Sequence, residues 1–427
     1  MNTLATGVSG KKKTGGSIVV QNNFTVLVIL LFSVFAIVVV PAGCSVPPPP
    51  PAAVPVWSDS PGTASWILVD CSRNCSYIAA ATHNGNVIRL YSRTGTILWT
   101  YRADSNVRDV KIAGDGETVV AGIFGGDILC FNRTGTRLWK YSMRSESLPL
   151  VAISDDGSRV FASGGSDLYF FDRNGTLLSR YRESGSIWAV ALSGDGTLGT
   201  AGSNFHKFEL LALHPNGTLV LDYPSGPYSN SVAVSQDGSV IVAEDYKTVY
   251  YFGENRSLLW NFTRHATYTQ VAVSADGEYV ASGSQYYLRY FNRTGDLLWT
   301  HKDSGIVKVA VTGSGDMVFA GGSGGLYLFD RTGHALWRYN QSAATVSAAQ
   351  NGEYFAAGTA SEVLFFNRDG SATPPPDPVD TPESVTTTVP APTETLPTAA
   401  SPVSGPGILA ATGCACGIIF FRKRRGR

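Results

Sequence analysis

A repeat of about 40 residues is the feature that most constrains how this chain can fold. Each copy is marked first by a turn of the Asp-Gly type, whose glycines are Gly116, Gly157, Gly196, Gly238, Gly277, Gly315 and Gly352. A second turn, Asn-Arg-Thr-Gly in residues 132–135 and 292–295 and a variant elsewhere, follows in each copy. Short β-branched or aromatic runs between such turns predict antiparallel strands joined by hairpins. One such sheet cannot bury both of its faces, so the copies are expected to pack against one another.

The number of predicted strands indicates a closed ring. Three successive strands recur eight times between residues 66 and 366, whereas a fourth, outer strand follows only seven of these sets. Residues 55–59 precede the first set as an outer strand would. We therefore predict an all-β fold over residues 54–370, a single eight-bladed β-propeller of four-stranded antiparallel blades. Its N-terminal outer strand would complete the last blade and leave no open edge. Seven blades with a frayed end is the alternative.

Two motifs carry a resemblance to known propellers. Thr294, Gly295 and Trp299 form a Thr-Gly-x-x-x-Trp motif that resembles the tryptophan-docking repeat of the pyrroloquinoline-quinone-type propellers. The segment 271–277, Val-Ala-Val-Ser-x-Asp-Gly, is similar to turns in WD-repeat propellers. The resemblance implies the fold. The chain has no adjacent Cys-Cys pair of the kind that quinone-dependent dehydrogenases carry, so we predict no cofactor.

The charge balance excludes one class of partner. Lysine and arginine together number 33, as do aspartate and glutamate, and the formal net charge is zero. Nucleic-acid binding is usually accompanied by a positive excess. No nucleic-acid partner is therefore predicted.

The N-terminal part is predicted to reach a membrane. Residues 1–23 are basic and expected in the cytoplasm, and residues 24–43 are expected to be a transmembrane helix or a signal. Their uncharged run, 24–40, would span roughly 25 Å as a helix. Cys44 ends a weak match to a lipoprotein cleavage box and is a weak lipidation candidate. Residues 44–53 are then a proline-rich spacer.

The C-terminal part is also predicted to contact the membrane. Residues 371–406, rich in Pro and Thr, form a predicted disordered stalk. Residues 407–427 contain a short hydrophobic helix with a basic end, and they resemble the C-terminal sorting signals of archaeal surface proteins. A plain membrane anchor is the alternative. Both interpretations place the protein at the cell membrane with its propeller on the extracytoplasmic side.

Cysteines and glycosylation motifs agree with that location. Cys71 and Cys75 lie at the end of a predicted strand and in the turn after it, so they are a candidate disulfide, with two unpaired thiols as the alternative. Eight Asn-x-Ser/Thr motifs are candidate N-glycosylation sites because turns are exposed: Asn74, Asn132, Asn174, Asn216, Asn255, Asn261, Asn292 and Asn340.

No arrangement of residues indicates catalysis or a metal site. The histidines show no metal-ligand spacing. The aspartates before the turn glycines are expected to accept turn N–H groups: Asp115, Asp156, Asp195, Asp237 and Asp276. His265 and His301 are expected in loops after outer strands, where a site is one interpretation and solvated loops the other. Their expected neighbours are Glu146, Arg182, Glu183 and Asp303.

These features predict a non-catalytic, membrane-tethered extracytoplasmic β-propeller that acts as a binding or surface-scaffold module. An unknown protein or glycan ligand would bind the rim formed by the loops between outer and inner strands and between second and third strands. The alternative is an enzyme, namely a hydrolase, a lyase or a quinone-dependent oxidoreductase, with its site in the central funnel. Three or more converging ionisable side chains at the axis would favour the enzyme. A funnel lined by small residues would favour the binding module.

Overall fold

The computed structural model describes residues 49–143, 148–204, 209–224, 231–245, 247–263, 269–302 and 305–375. The predicted segments 1–23, 24–43 and 407–427 lie outside the described residues, as do Cys44, residues 44–48 of the spacer and residues 376–406 of the stalk. Among the described residues there is no helix long and apolar enough to cross a membrane. That part of the chain is built from strands and turns.

The strands follow one another at the spacing of the repeat. The first seventeen are β1 (Trp57–Asp59), β2 (Trp66–Cys71), β3 (Tyr77–His83), β4 (Val87–Ser92), β5 (Ile97–Arg102), β6 (Val107–Ile112), β7 (Thr118–Ile123), β8 (Asp127–Asn132), β9 (Arg137–Ser142), β10 (Leu150–Ile153), β11 (Arg159–Gly164), β12 (Asp167–Asp172), β13 (Leu177–Arg182), β14 (Ser186–Leu192), β15 (Gly199–Asn204), β16 (Glu209–Leu213) and β17 (Leu219–Pro224). The others are β18 (Ser231–Val234), β19 (Ile241–Glu244), β20 (Thr248–Phe252), β21 (Leu258–Thr263), β22 (Thr269–Val273), β23 (Tyr279–Ser284), β24 (Tyr287–Asn292), β25 (Leu297–Lys302), β26 (Ile306–Val311), β27 (Met317–Gly322), β28 (Gly325–Asp330), β29 (Ala335–Tyr339), β30 (Thr345–Ala348), β31 (Tyr354–Gly358) and β32 (Val363–Asn367).

Consecutive strands pair antiparallel in groups of four. The groups are β2–β5, β6–β9, β10–β13, β14–β17, β18–β21, β22–β25 and β26–β29. A single parallel bridge between His83 and Val107 joins the first group to the second. The last group is β30–β32 with β1 added on its outer side, in a register that pairs Trp57 with Phe365 and Asp59 with Val363. The N-terminal strand thus completes the C-terminal sheet, as the strand count predicts.

The innermost strands contact one another in a closed circle. In order these strands are β2, β6, β10, β14, β18, β22, β26 and β30, and β30 contacts β2 again. Backbone hydrogen bonds between the Asp-Gly-type turns follow the same circle. The Arg73 N–H donates to Gly114 O at 2.9 Å, the pattern continues around the circle, and the Gln350 N–H returns to Arg73 O at 2.7 Å. The sheets therefore surround a central channel, as in a propeller.

The hydrophobic core lies between neighbouring sheets. Trp99 of β5 packs with Phe131 of the next sheet at 5.5 Å between ring centroids, and its indole N–H donates to Arg133 O at 3.0 Å. The same hydrogen bond from a tryptophan to the next sheet's turn is made by Trp57, Trp139, Trp260, Trp299 and Trp337. Trp57 reaches Arg93 of the first group, so it links the last sheet to the first. The tryptophans serve as inter-sheet packing.

The end of the predicted spacer belongs to the folded domain. The Ala53 N–H donates to Arg338 O at 2.8 Å, and the Arg338 N–H donates to Pro51 O at 2.9 Å. Residues 51–53 therefore lie parallel to β29 at its outer edge. Ala53 is buried in the hydrophobic core between the sheet β26–β29 and the last sheet. These contacts begin about three residues before the predicted boundary at residue 54, because proline carbonyls can accept hydrogen bonds from an exposed strand edge.

Candidate functional site: the central channel and its upper rim

Antiparallel pairing gives each sheet two distinct ends. The upper rim is the end that carries two kinds of loop. One kind leads from an outer strand to the innermost strand of the next sheet, and the other connects the second and third strands of a sheet. The lower rim is the end with the Asp-Gly-type and Thr-Gly-type turns. The innermost strands run from the upper rim to the lower rim along the channel.

Large apolar side chains are exposed at the upper rim. Trp188 lies at a register shift near the start of β14 and is 56% exposed. Leu148 and Tyr286, in two different loops of this rim, are each 48% exposed, and Trp66 at the start of β2 is 37% exposed. Exposed aromatic groups near a concave opening are typical of surfaces that bind partners.

One wall of the upper rim is a stack of aromatic and cationic groups. The rings of Trp66 and His83 lie 4.0 Å apart and nearly parallel. Arg108 donates to His83 Nε2 at 3.1 Å, so the neutral imidazole carries its proton on Nδ1. Burial lowers the pKa of His83, and Arg108 lowers it further. His83 Nδ1 and Arg108 Nε are both buried without a hydrogen-bond partner among the described residues.

Two carboxylates face the channel but already hold backbone groups. The Ile112 N–H donates to Asp70 at 3.0 Å. Asp109 accepts from Val110 at 2.9 Å and from Val151 at 3.1 Å. Each carboxylate thus joins its own innermost strand to a neighbour. Burial raises the pKa of Asp70, an effect that nearby Lys111 only partly offsets.

Two lysines reach the same part of the channel with different surroundings. Lys111 Nζ lies 3.8 Å from Asp109. Burial lowers the pKa of Lys111, but Asp109 and Asp70 outweigh it and the pKa is raised. Burial also lowers the pKa of Lys308, and Lys111 and Arg108 lower it further. Both lysines line a cavity of about 110 Å³ together with Asp70, Asp109, Gln270 and Thr345.

The lower end of the channel is crossed by polar side chains. Arg73 and Gln236 both donate to Asp155, and Gln350 donates to Gln236 at 3.0 Å. These residues occupy the same turn position in four different sheets, where other sheets have glycine or alanine. The network spans part of the lower opening, and Asp155, Gln236 and Gln350 also line a cavity of about 190 Å³ there.

Sequence reasoning missed the channel charges, although a signal for them exists. Five positions before the glycine of the Asp-Gly-type turn, six sheets carry a small residue: Ala152, Ala191, Ala233, Ala272, Ala310 and Ser347. The first two sheets carry Asp70 and Lys111 at that position. Alignment of the innermost strands on their turns would have revealed the two exceptions.

The predicted turn aspartates hold their turns. Asp115, Asp156, Asp195, Asp237 and Asp276 each accept the N–H of the residue two positions later. Burial raises the pKa of Asp237, but hydrogen bonds from Ser239 and Ser235 outweigh it and the pKa is lowered. Their role is structural, as predicted.

The candidate disulfide residues lie next to each other as free thiols. Cys75 occupies the position of the turn glycine and has a positive φ of 49°. Burial raises the pKa of the Cys75 thiol well above its usual value, and its hydrogen bond with the Cys71 thiol raises it further. The bridge stays a prediction. Burial also raises the pKa of Cys130 to about 12, which fits its position in the core.

The candidate glycosylation sites are not spread evenly over the surface. Two lie elsewhere, Asn261 on the outer strand β21 and Asn340 after β29. Six lie in or beside turns of the lower rim: Asn74, Asn132, Asn174, Asn216, Asn255 and Asn292. None of the eight is buried.

Three of the six residues of the expected histidine-centred rim site lie among the described residues: His301, Glu183 and Arg182. His301 lies within β25, and its ring packs on Phe329 at 4.9 Å between centroids. Glu183 is buried and accepts from the Ser184 N–H at 2.6 Å. Arg182 Nε lies 3.6 Å from Asp167. The expected loop position of His301 is wrong because β25 extends to Lys302. His265, Glu146 and Asp303 lie outside the described residues. Within the described part of the chain, no three His, Cys, Asp or Glu side chains form a metal site.

Comparisons with solved structures agree with the fold. BamB from Moraxella catarrhalis is 19% identical, with a TM-score of 0.59 over 74% of this chain and 99% of that one. The C-terminal WD40 domain of Sif2 is 15% identical, with a TM-score of 0.62 over 74% of this chain and 98% of that one. The Dos1 propeller is 13% identical, with a TM-score of 0.62 over 75% and 96%.

Sequence comparison identifies the family. No curated protein matches the chain by sequence. A family model described as outer membrane protein assembly factor BamB matches residues 55–210 and 207–370. Since these matches cover most of the chain, the protein belongs to the PQQ-like β-propeller family that this model represents.

Proposed function

We propose that the protein is a non-catalytic, membrane-tethered binding scaffold whose upper rim takes a protein partner on the extracytoplasmic side. The observation that carries the proposal is the set of exposed apolar side chains around the channel mouth, of which Trp188 is the most exposed. Aromatic residues on a rigid scaffold are frequent anchors of protein interfaces. The name of the family model, an assembly factor, is compatible with such a role.

The distribution of glycosylation motifs supports the upper rim as the binding surface. Six of the eight motifs lie at the lower rim. Glycans there would cover that end with bulky polar groups. The apolar upper rim would stay accessible.

We infer eight blades rather than seven. The circle of eight innermost strands and the pairing of β1 with β32 support this count. The membrane tether rests on residues 24–43 and 407–427, and the archaeal-type sorting signal on the latter segment alone.

The enzyme alternative has one observation in its favour, the charged groups that converge in the channel. A general acid or base needs a carboxylate that can exchange a proton with substrate. Asp70 and Asp109 instead accept backbone N–H groups of neighbouring strands. At the position that Asp70 and Lys111 occupy, five of the other six innermost strands carry alanine. More than three ionisable side chains converge in the channel, which is the condition stated for an enzyme. The engagement of both carboxylates by backbone N–H groups is the observation that favours the binding scaffold.

Site-specific photo-cross-linking in intact cells tests the partner surface. A photoreactive amino acid at Trp188 is expected to give a protein adduct of defined mass. The same group at Leu259, which is 54% exposed on the outer strand β21, is the matched control and should give none. In the variant with the photoreactive amino acid in place of Trp188, the additional substitution Tyr286→Ala should reduce the yield of the adduct. Adducts at Leu259 alone, or at neither position, would overturn the proposed surface.

Surface labelling tests the location separately. Lys247 is exposed in an upper-rim loop between β19 and β20. A membrane-impermeant amine reagent should modify Lys247 in intact cells. Modification only after lysis would show that the propeller is on the cytoplasmic side.

A further inference from the structure

We propose that the central channel holds a small oxyanion, of the carboxylate or phosphate type, bound by Lys308 and Gln270 on one side and Lys111 on the other. This site is independent of the partner surface proposed above. The argument uses the charges in the channel, the free donors and the size of the cavity.

Among the described residues, the channel charges leave one cation without a counterpart. Arg108, Lys111 and Lys308 are cationic, whereas Asp70 and Asp109 are the carboxylates of this region. His83 is neutral because it accepts from Arg108. The carboxylates lie beside Lys111, and Lys308 makes no ion pair or hydrogen bond with any described residue. A half-buried, unpaired ammonium group is costly unless an anion accompanies it.

The cavity offers donors for which the described residues supply no acceptor. Gln270 Oε1 accepts the Val309 N–H at 3.3 Å, and its Nε2 amide donates to no described residue. Lys308 contributes an ammonium group, and Lys111 can donate to a ligand as well as to Asp109. Three donors of two chemical kinds around one cavity suit the several acceptor oxygens of an oxyanion.

The cavity size restricts the ligand. About 110 Å³ corresponds to three or four water molecules at roughly 30 Å³ each. A carboxylate or a phosphate group fits this space.

The test measures unfolding and binding in acetate and in inorganic phosphate at constant ionic strength. The full chain is compared with Lys308→Met and with Lys247→Met, which removes an exposed lysine. The wild type and Lys247→Met should show a saturable rise in unfolding midpoint, and titration calorimetry should give the dissociation constant. Lys308→Met should bind about tenfold or more weakly. Without the anion, Lys308→Met should be the more stable protein, because the unpaired charge is gone.

The outcomes separate the possibilities. A response to acetate alone indicates a carboxylate site, and a response to phosphate alone indicates a phosphate site. Equal responses of wild type and Lys308→Met, or no saturable response of the wild type to either ion, would overturn the proposal. If Lys308→Met does not fold, Lys308→Gln replaces it, and Lys308→Arg should retain binding because it retains the charge.

Discussion

At the scale of single residues, turn glycines allow the tryptophans to dock. Gly135 has a φ of +83°, and a Cβ added to it would lie 2.7 Å from Trp99 Cγ. The same close approach occurs between Gly175 and Trp139. Each Thr-Gly-x-x-x-Trp motif therefore takes part in two contacts, and its glycine receives the tryptophan of the preceding sheet. Its tryptophan covers the glycine of the following sheet.

Gly135→Ala should destabilise the protein more than Gly125→Ala does. Both glycines have positive φ, but a Cβ at Gly125 would meet nothing within 4 Å. Both substitutions cost about 1 kcal/mol of backbone strain. At Gly135 the clash with Trp99 adds about 1–3 kcal/mol. Urea unfolding measures both losses, and equal losses would contradict the docking contact.

The turn aspartates should make the free energy of unfolding depend on pH. Because the pKa of Asp237 is lowered in the folded state, its ionised form stabilises the protein above the pKa of the unfolded chain, about 3.9. That contribution is lost as pH falls through the lower, folded pKa. Asp237→Asn should therefore cost up to about 1 kcal/mol near pH 6, since the group is exposed, and almost nothing near pH 2.

The equivalent turn of the last sheet allows the opposite substitution, from asparagine to aspartate. Its turn naturally has Asn351, whose Oδ1 accepts the Glu353 N–H at 3.1 Å. Asn351→Asp should add a contribution that is present at neutral pH and lost in acid. Denaturant unfolding across the pH range measures both variants. A difference between wild type and Asp237→Asn that is independent of pH would contradict this account.

At the scale of elements, β1 joins the two ends of the chain, because it covers the outer edge of β32 and packs against the first group. Trp57 stacks on Phe365 of its own sheet at 5.3 Å and on Tyr91 of the first group at 5.4 Å. Sequence could predict this strand because the last repeat lacks an outer strand and residues 55–59 resemble one. Sequence could not predict the pairing of residues 51–53 with β29, since prolines usually indicate a spacer.

Trp57→Ala should destabilise the protein by about 3 kcal/mol, because it removes both stacking partners and the hydrogen bond to Arg93. Trp57→Phe keeps the stacking and should cost about 1 kcal/mol. Trp188→Ala, at an exposed position, should change stability by less than about 0.5 kcal/mol. Thermal unfolding of the three variants gives the comparison. A loss at Trp188 as large as at Trp57 would contradict the closing role of β1.

At the scale of the whole molecule, the closed circle of contacts should make unfolding cooperative. Each sheet buries its faces only against its neighbours, and the last sheet also contacts the first. Residues 49–375 should unfold in one transition, with coincident midpoints from circular dichroism and tryptophan fluorescence.

Deletion of β1 should lower both the stability and the solubility of the ring formed by residues 49–375. Residues 60–375 should unfold at lower denaturant than Trp57→Ala and should self-associate, because the β32 edge becomes free to pair. Light scattering detects the association. A monomeric 60–375 fragment with unchanged stability would show that closure contributes little.

The sequence by itself determined the repeat, the turns, the tryptophan contacts and the closing strand. These depend on local spacing, since turn chemistry and strand alternation are properties of neighbouring residues. Only the tertiary structure brought Asp70, Lys111 and Lys308 into one channel and Trp66, Trp188 and Tyr286 onto one rim. Those residues lie on different sheets, and which of them meet depends on the number of sheets in the circle and on the reach of each side chain across the axis.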